Sequence, residues 1–294
     1  MAVTKIGTAN LAEYFSSDAY MKRPRKGFVT SLAQEMPNLM YGPTNYFDFS
    51  YETSGKFVGE SESKDGEGNA FPRRQVRTEK VVYDERISVE MYNQLEENGE
   101  LENYIQTMAN KFMASDLERD LDKLALYGKI NPTGTRYIDN YITKTGQAIL
   151  VPSTGSSAAA IKADLMTAVE ATDADGVALS RTAAKELASI REAGVQVFPE
   201  LGIFGADAVS IGGLRAAVSN AFGTIGTGNE TLVAGDFRAL RWGIVAEANI
   251  NLLDAGNPDG NGDLGNLNEY LIRMEVFLGI GIASPTALAY VANV

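Results

Sequence analysis

The stretch that decides the fold is VVYDERISVEM, residues 81–91, together with the helical pattern that follows it. Polar and apolar side chains alternate from Arg86 to Met91, and we predict a short strand from Glu85 to Met91. A helix is then expected from near Asn98 to about Tyr127, a length of roughly 45 Å at 1.5 Å per residue. Gly128 is the natural stop, because glycine readily adopts the left-handed conformation that ends helices.

An apolar stripe defines the inner face of this helix. Its members form two successive runs with spacings of three or four residues: Leu101, Ile105, Met108 and Phe112, and then Met113, Leu117, Leu121 and Leu124. The stripe is expected to rest on a sheet that contains Ile87, Val89, Met274 and Val276. Acidic side chains at even spacing are spread around the same helix, at Asp116, Glu118, Asp120 and Asp122. We expect these carboxylates to form a solvated face.

Upstream of the strand, residues 46–83 predict a long β-hairpin. Aromatic and polar side chains alternate from Phe47 to Glu52, and Arg74 to Val82 supplies the returning strand. The connection between them, residues 59–69, is polar and rich in glycine. A hairpin with so little apolar content cannot bury itself, so it should project or lie on a partner.

Residues 1–45 are expected to form an arm. The arm carries a basic cluster that a proline interrupts, made of Lys22, Arg23, Arg25 and Lys26. The cluster favours a solvated, extended segment over a dedicated binding patch.

The C-terminal half mixes helices and strands. Helices are expected at 158–171 and 181–193, and strands at 195–198, 231–234, 244–250 and 270–278. Ser180 is the expected N-cap of the second helix and Gly194 its C-terminal stop. Because these elements lack the regular strand–helix–strand order of a doubly wound sheet, the chain belongs to the α+β class.

Composition excludes several functions. The 294 residues carry a net charge of −12 and contain neither cysteine nor histidine. Disulfides, thiolate nucleophiles, His- or Cys-ligated zinc and the Ser-His-Asp triad are therefore excluded. A chain this acidic should enclose DNA rather than grip it. The N-terminus lacks a signal-peptide core, and the uncharged stretch 276–294 reads as strand, so we expect a cytosolic chain without membrane contact.

One short motif resembles the start of a calcium loop. Asp259, Asn261 and Asp263 have the spacing of the first three ligands. However, Leu264 stands where that loop needs glycine, and Tyr270 stands where it needs a bidentate glutamate. We therefore predict no metal site, no cofactor and no catalytic residues.

The order of these elements resembles the tailed-phage major capsid proteins with the Hong Kong 97-type fold. Three places carry the resemblance: residues 81–91 with the helix that closes in LALYG at 124–128, the helix and strand at 180–199, and VAGDF at 233–237 with 244–252 and the closing segment at 270–289. The similarity covers roughly residues 40–294. It implies an N-arm at 1–45, an extended loop at 46–83, a peripheral domain at 84–145 plus 268–294 with a spine helix at 98–127, and an axial domain at 146–267.

The resemblance also implies a function. Members of that family form hexamers and pentamers, and these close into an icosahedral shell around packaged double-stranded DNA, without sequence-specific contacts. The expected location is the virion capsid, assembled in the host cytoplasm, with scaffolding, portal or decoration proteins as further partners. The expected contacts between copies come from the arm and the extended loop, through Lys22, Arg23, Arg25, Lys26, Phe57, Val58, Lys64 and Phe71.

Two alternatives remain open. An encapsulin-like nanocompartment shell would share the fold, but the arm and long loop at 1–83 argue against it. A carboxylate-based or metal-dependent enzyme is the other, and only residues 259–263 speak for it. Nuclease-protected DNA in particles separates the two shells, and a monodisperse monomer would favour the enzyme.

Overall fold

The structure, a computed structural model, describes residues 27–36, 39, 43–47, 73–112, 116–133, 138–202, 209–225, 229–245, 249–284 and 286–293. Over these ranges the chain is an α+β protein with two six-stranded sheets and helices packed against them. No helix within the described ranges combines the length and the apolar character that a membrane span needs.

The elements follow one another in this order. The N-terminal half contains α1 (Phe28–Leu32), β1 (Gln34–Glu35), β2 (Pro43–Phe47), β3 (Arg73–Ser88), α2 (Val89–Glu97), α3 (Leu101–Lys111), α4 (Leu117–Tyr127) and β4 (Ile149–Pro152). The C-terminal half contains α5 (Ala158–Glu170), β5 (Gly176–Ser180), α6 (Arg181–Ser189), β6 (Arg191–Glu192), β7 (Val195–Gln196), β8 (Ser210–Ile211), β9 (Leu214–Ser219), β10 (Leu232–Gly235), β11 (Leu240–Ile244), β12 (Asn249–Leu253), α7 (Leu264–Leu267), β13 (Glu269–Ile282) and β14 (Leu288–Ala292).

The first sheet is built around the long strand β13. Its strand order is β1-β11-β13-β3-β2, and β12 also pairs with β13. β11 pairs with residues 278–282 of β13, whereas β12 pairs with residues 271–275. The strand expected at 244–250 is therefore two strands that occupy successive parts of β13. β13 itself shows the expected alternation, because Ile272, Met274 and Val276 are buried on one face.

The second sheet has the order β4-β14-β10-β5-β9-β8. α5 and α6 cover it, and their apolar side chains share one core cluster with the strands. Ser180 caps α6 as expected, since its hydroxyl accepts a hydrogen bond from Ala183 N at 3.1 Å. The expected end of α6 is wrong. The helix stops at Ser189, and Ala193 and Gly194, with φ of 50° and 83°, form the tight turn between β6 and β7.

The predicted strand–helix boundary is also displaced. The strand ends at Ser88, whose hydroxyl accepts a hydrogen bond from Met91 N at 3.2 Å and caps α2. Serine is a preferred N-cap, so the local hydrogen bond overrides the alternation that continues to Met91. The predicted helix over 98–127 corresponds to α3 and α4, with π-type turns at Phe112 and Asp116.

Gly128 ends α4 as expected. Its φ is 69°, and its N–H donates to the carbonyl of Leu124 at 2.9 Å. A Cβ at this position would lie 2.2 Å from the carbonyl oxygen of Ile138, so no other residue fits.

The apolar stripe packs into two cores. Leu117, Leu121 and Leu124 join a central cluster with α1 and strands from both sheets. Phe112 stacks on Tyr83 with ring centroids 5.6 Å apart, in a cluster that includes Ile87, Met274 and Val276. The expected packing of the stripe on these strands is confirmed, except that Val89 begins α2.

Candidate assembly interface

The residues predicted to join copies lie outside the described residues. This holds for Lys22, Arg23, Arg25, Lys26, Phe57, Val58, Lys64 and Phe71. The structure describes the elements that adjoin these segments in the chain, and we call them the base of each segment. The base of the extended loop is β2 and β3, and the base of the arm is α1.

The base of the extended loop is a two-stranded ribbon. β3 pairs with β13 from Ser88 as far as Thr78. Beyond that point, residues 73–77 of β3 pair with β2 among the described strands, in the register Pro43 with Arg77 and Phe47 with Arg73. The hairpin predicted over 46–83 is thus confirmed at its base. This end of the first sheet is a two-stranded ribbon, which has little surface to bury against itself.

The base of the arm is buried. Phe28 and Val29 are fully buried, and Phe28 contacts the rings of Phe222 and Phe237 at centroid distances of 5.8 and 6.2 Å. α1 begins at Gly27, which has no side chain to cap the free N–H groups of a helix start. The cap comes from α4: Asp122 accepts from Phe28 N at 3.1 Å and from Val29 N at 3.0 Å.

The acidic face expected on α4 is not solvated. Glu118, Asp120 and Asp122 are all buried, with exposed fractions of 6%, 4% and 1%. The prediction was wrong because it considered only spacing along one helix. α4 is surrounded by α1, β3 and β9, and the carboxylates bind donors that these elements supply. Burial raises the pKa of Asp122 to about 7, against the opposing effect of its hydrogen bonds.

Asp120 lies in a polar recess between β3 and α4 with a volume of about 550 Å³. The Tyr83 hydroxyl donates to Asp120 Oδ2 at 3.2 Å, and Arg119 and Lys123 approach Oδ1 at 3.5 and 3.6 Å. Burial raises the pKa of Asp120, and burial together with this carboxylate raises the pKa of Tyr83. The rim carries both signs of charge, including Lys80. The recess therefore presents polar and charged side chains at its surface.

The calcium-like motif is used as an anchor for its own loop. Arg86 on β3 binds Asp259 through Nε at 2.8 Å and through Nη2, and its Nη1 binds Glu269 at 2.7 Å. These hydrogen bonds from Arg86 hold the pKa of Asp259 well below its usual range. Asp263 caps α7 by accepting from Asn266 N, and the amides of Asn261 both donate to Asp259. Within the described ranges no three acidic side chains are grouped as metal ligands.

A second arginine holds the same loop. Arg273 on β13 binds both oxygens of Asp84 at 2.8 Å and donates to the carbonyl of Pro258 at 3.2 Å. The sequence analysis did not identify Arg86 or Arg273. Arg273 interrupts a strand of mostly apolar residues, and this is a signal in the sequence. Arg86 gives no such signal, because most side chains of β3 are polar or charged.

Comparisons with known proteins agree with this architecture. Neither a protein-family model nor a curated protein matches the chain. Among solved structures, a chain from Mycobacterium phage Ogopogo is 30% identical, over 93% of this chain and 94% of that one, with a TM-score of 0.71. The chain belongs to the tailed-phage major capsid protein family. The capsid fold and the α+β class expected from the sequence are confirmed.

More distant capsid structures share the fold. A chain from Gordonia phage Cozz is 20% identical over 93% of this chain and 88% of that one, with a TM-score of 0.67. The capsid of an empty GTA particle is 13% identical over 98% of this chain and 99% of that one, with a TM-score of 0.62. These two likenesses show the fold alone. The shell-forming role rests on the chain that is 30% identical, and the comparisons do not favour the enzyme or nanocompartment alternatives.

Proposed function

We propose that copies of this chain assemble as hexamers and pentamers into an icosahedral virion shell around packaged double-stranded DNA. The observation that carries the proposal is the ribbon of β2 and β3. It leaves the first sheet at Thr78 and carries a 25-residue connection, 48–72, in a chain of the capsid family. A polar, glycine-rich connection has little apolar surface of its own to bury, and in a shell the neighbouring copy can supply the missing contacts.

The proposed domains follow the family: an arm at 1–45, an extended loop at 46–83, a peripheral domain at 84–145 plus 268–294 with the spine helix at 98–127, and an axial domain at 146–267. The pairing of β13 along β3 supports the joining of 84–145 with the C-terminal segment. The two sheets also exchange strands across these boundaries. β11, from the axial range, lies in the first sheet, and β14, from the peripheral range, lies in the second.

The proposed contacts between copies are made by the arm and the loop. The arm offers Lys22, Arg23, Arg25 and Lys26, and the loop offers Phe57, Val58, Lys64 and Phe71. The net charge of −12 suits a wall that surrounds DNA without gripping it. We further propose assembly in the host cytoplasm with scaffolding, portal or decoration proteins as partners.

Nuclease protection tests the enclosed cargo. Particles purified from cells that produce the virus are treated with nuclease, washed and then opened. We expect double-stranded DNA of genome length to be released. Particles that hold a protein cargo and no protected nucleic acid would instead support the nanocompartment alternative and overturn the proposal.

A further inference from the structure

Asp122 joins three segments that are far apart in sequence. Its oxygens accept hydrogen bonds from the backbone N–H groups of Phe28 and Val29 on α1 and from the Ser219 hydroxyl on β9. The partners are 93 to 97 positions away from Asp122 along the chain. The Ser219 hydroxyl is itself held, because it accepts from Ala221 N at 3.1 Å. α4, β9 and α1 therefore meet at one carboxylate.

The start of α1 depends on this carboxylate. Gly27 gives α1 no local cap, and Asp122 satisfies two of the N–H groups that a helix start leaves free. The fit is close, since a Cβ on Gly27 would lie 3.2 Å from Asp122 Oδ1 and 3.3 Å from the carbonyl of Glu118. Residues 1–26 directly precede this point in the sequence.

We propose that Asp122 is a positioning residue: it fixes α1, the element that directly follows the N-terminal arm in the chain, against α4 and β9. The inference rests on the proposed role of the arm in contacts between copies. The buried carboxylate is the joint between α1 and the rest of the subunit. Breaking it releases the start of α1 while the sheets remain folded.

The stability of this joint depends on pH, because the Asp122 carboxyl can be protonated. Glu118, one turn earlier on α4, is the ionisable side chain that acts on Asp122, and α1 and β9 face it with Phe28, Val29 and Ser219. The carboxyl has a pKa of about 7 when the joint is closed and the ordinary value of 3.8 when it is opened to water. The closed joint binds more protons between these two values. Closing is therefore favoured at low pH, and opening grows as pH rises to about 7 and is constant above it.

Hydrogen exchange on the unassembled subunit tests the joint. After correction for the intrinsic rate of amide exchange, we expect the protection of the Phe28 and Val29 amides to fall as pH rises from 5 to 7, by up to about tenfold per pH unit. Asp122→Asn keeps the shape of the side chain but removes the titration, so its protection should not change with pH. A variant that failed to fold would lose protection throughout, including in β13.

A matched control tests whether the effect is specific to Asp122 or common to buried carboxylates. Asp164 is also buried and accepts from Thr154 N at 3.1 Å, but it lies in the second sheet's layer and does not contact α1. Asp164→Asn should alter exchange at Thr154 and leave Phe28 and Val29 with the wild-type pH profile. The proposal is overturned if wild type and Asp122→Asn share one pH profile at these two amides, or if Asp164→Asn changes it equally.

Shell yield then distinguishes the two proposals. We expect Asp122→Asn to lower the yield of closed shells, whereas Asp164→Asn leaves it unchanged. If Asp122→Asn removes the pH profile at Phe28 and Val29 but shells form normally, the anchoring role holds and the proposed role of the arm in assembly fails.

Discussion

At the scale of the residue, Leu121 is the clearest test of the central core. It is fully buried on α4, in the cluster that joins α1 to both sheets. We expect Leu121→Ala to lower the free energy of unfolding by roughly 2–5 kcal/mol, because it removes apolar contacts and leaves a cavity. Thermal and urea unfolding of the unassembled subunit measure this. Met166→Ala, at a half-exposed position on α5, should change it by no more than about 0.5 kcal/mol.

Arg86 provides a second test at this scale. Arg86→Lys retains the charge, but one ammonium cannot bind Asp259 through two nitrogens and reach Glu269 as well. We expect the Asn261 amide, which donates to Asp259, to exchange a few-fold faster. Arg238→Lys is the control, because Arg238 is exposed and binds only its neighbour Asp236 in the part of the chain described. Unchanged exchange at Asn261 in Arg86→Lys would show that the loop does not depend on this pair.

The stability of the Arg86–Asp259 ion pair depends on pH with the opposite sign to that of the Asp122 joint. The pKa of Asp259 is lowered in the folded state, so the contribution of the pair is fully present above the ordinary carboxyl pKa of 3.8. It is lost as pH falls below that value. Protection of the Asn261 amide, corrected for intrinsic exchange, should therefore be constant from pH 5 to 7, where that of Phe28 changes.

Some local signals at single residues were read correctly from sequence, whereas the helix stop expected at Gly194, the cap at Ser88 and the long-range contacts were not. Ser180 and Gly128 act on hydrogen bonds within four positions, so their roles as cap and stop could be predicted. The burial of Asp122 depends on donors more than 90 positions away. The local indication of such a donor–acceptor contact was that Gly27, at the start of α1, has no side chain that could cap the helix.

At the scale of the element, the arm and its root can be separated by two deletions. Removing residues 1–26 leaves Phe28 and Val29 in place, so we expect unfolding of the free subunit to be unchanged and assembly to fail. Removing residues 1–32 also takes out α1, exposes core surface and leaves Asp122 without its backbone donors. That chain should be strongly destabilised. Normal yields of shells from the shorter deletion would show that the arm is not an assembly element.

The extended loop allows a similar test. Replacing residues 59–69 with a short Gly-Ser turn leaves the ribbon of β2 and β3 intact, so the subunit should fold and unfold as before. Shells should dissociate at lower denaturant concentration, since the polar loop gains its stabilising contacts from the neighbouring copy. Amides 56–70 are expected to gain protection on assembly. Equal protection in subunit and shell would mean that the loop packs on its own subunit.

Elements were predicted well where one signal dominated. The long strand β13 and the helices α5 and α6 follow plain periodicity. The stretch 85–91 fits a strand and also a capped helix, and only the Ser88 cap decides between them. Likewise, β11 and β12 could be distinguished only once β13 was known to be long enough to pair with both in turn.

At the scale of the whole molecule, the described part of the subunit consists of the two sheets, the ribbon of β2 and β3, and helices that include the buried α1. The order of elements along the chain was enough to recognise the capsid family from sequence. The contacts between copies could not be worked out in the same way, because they depend on surfaces that only a neighbouring copy completes.

Electron microscopy of particles formed by the purified chain tests the central claim most directly. The account predicts closed icosahedral shells built from hexamers and pentamers, in which the ribbon of β2 and β3 from each copy reaches an adjacent one. The account would be contradicted if the chain stayed a monodisperse monomer at high concentration, both alone and when it is co-expressed with its partner proteins.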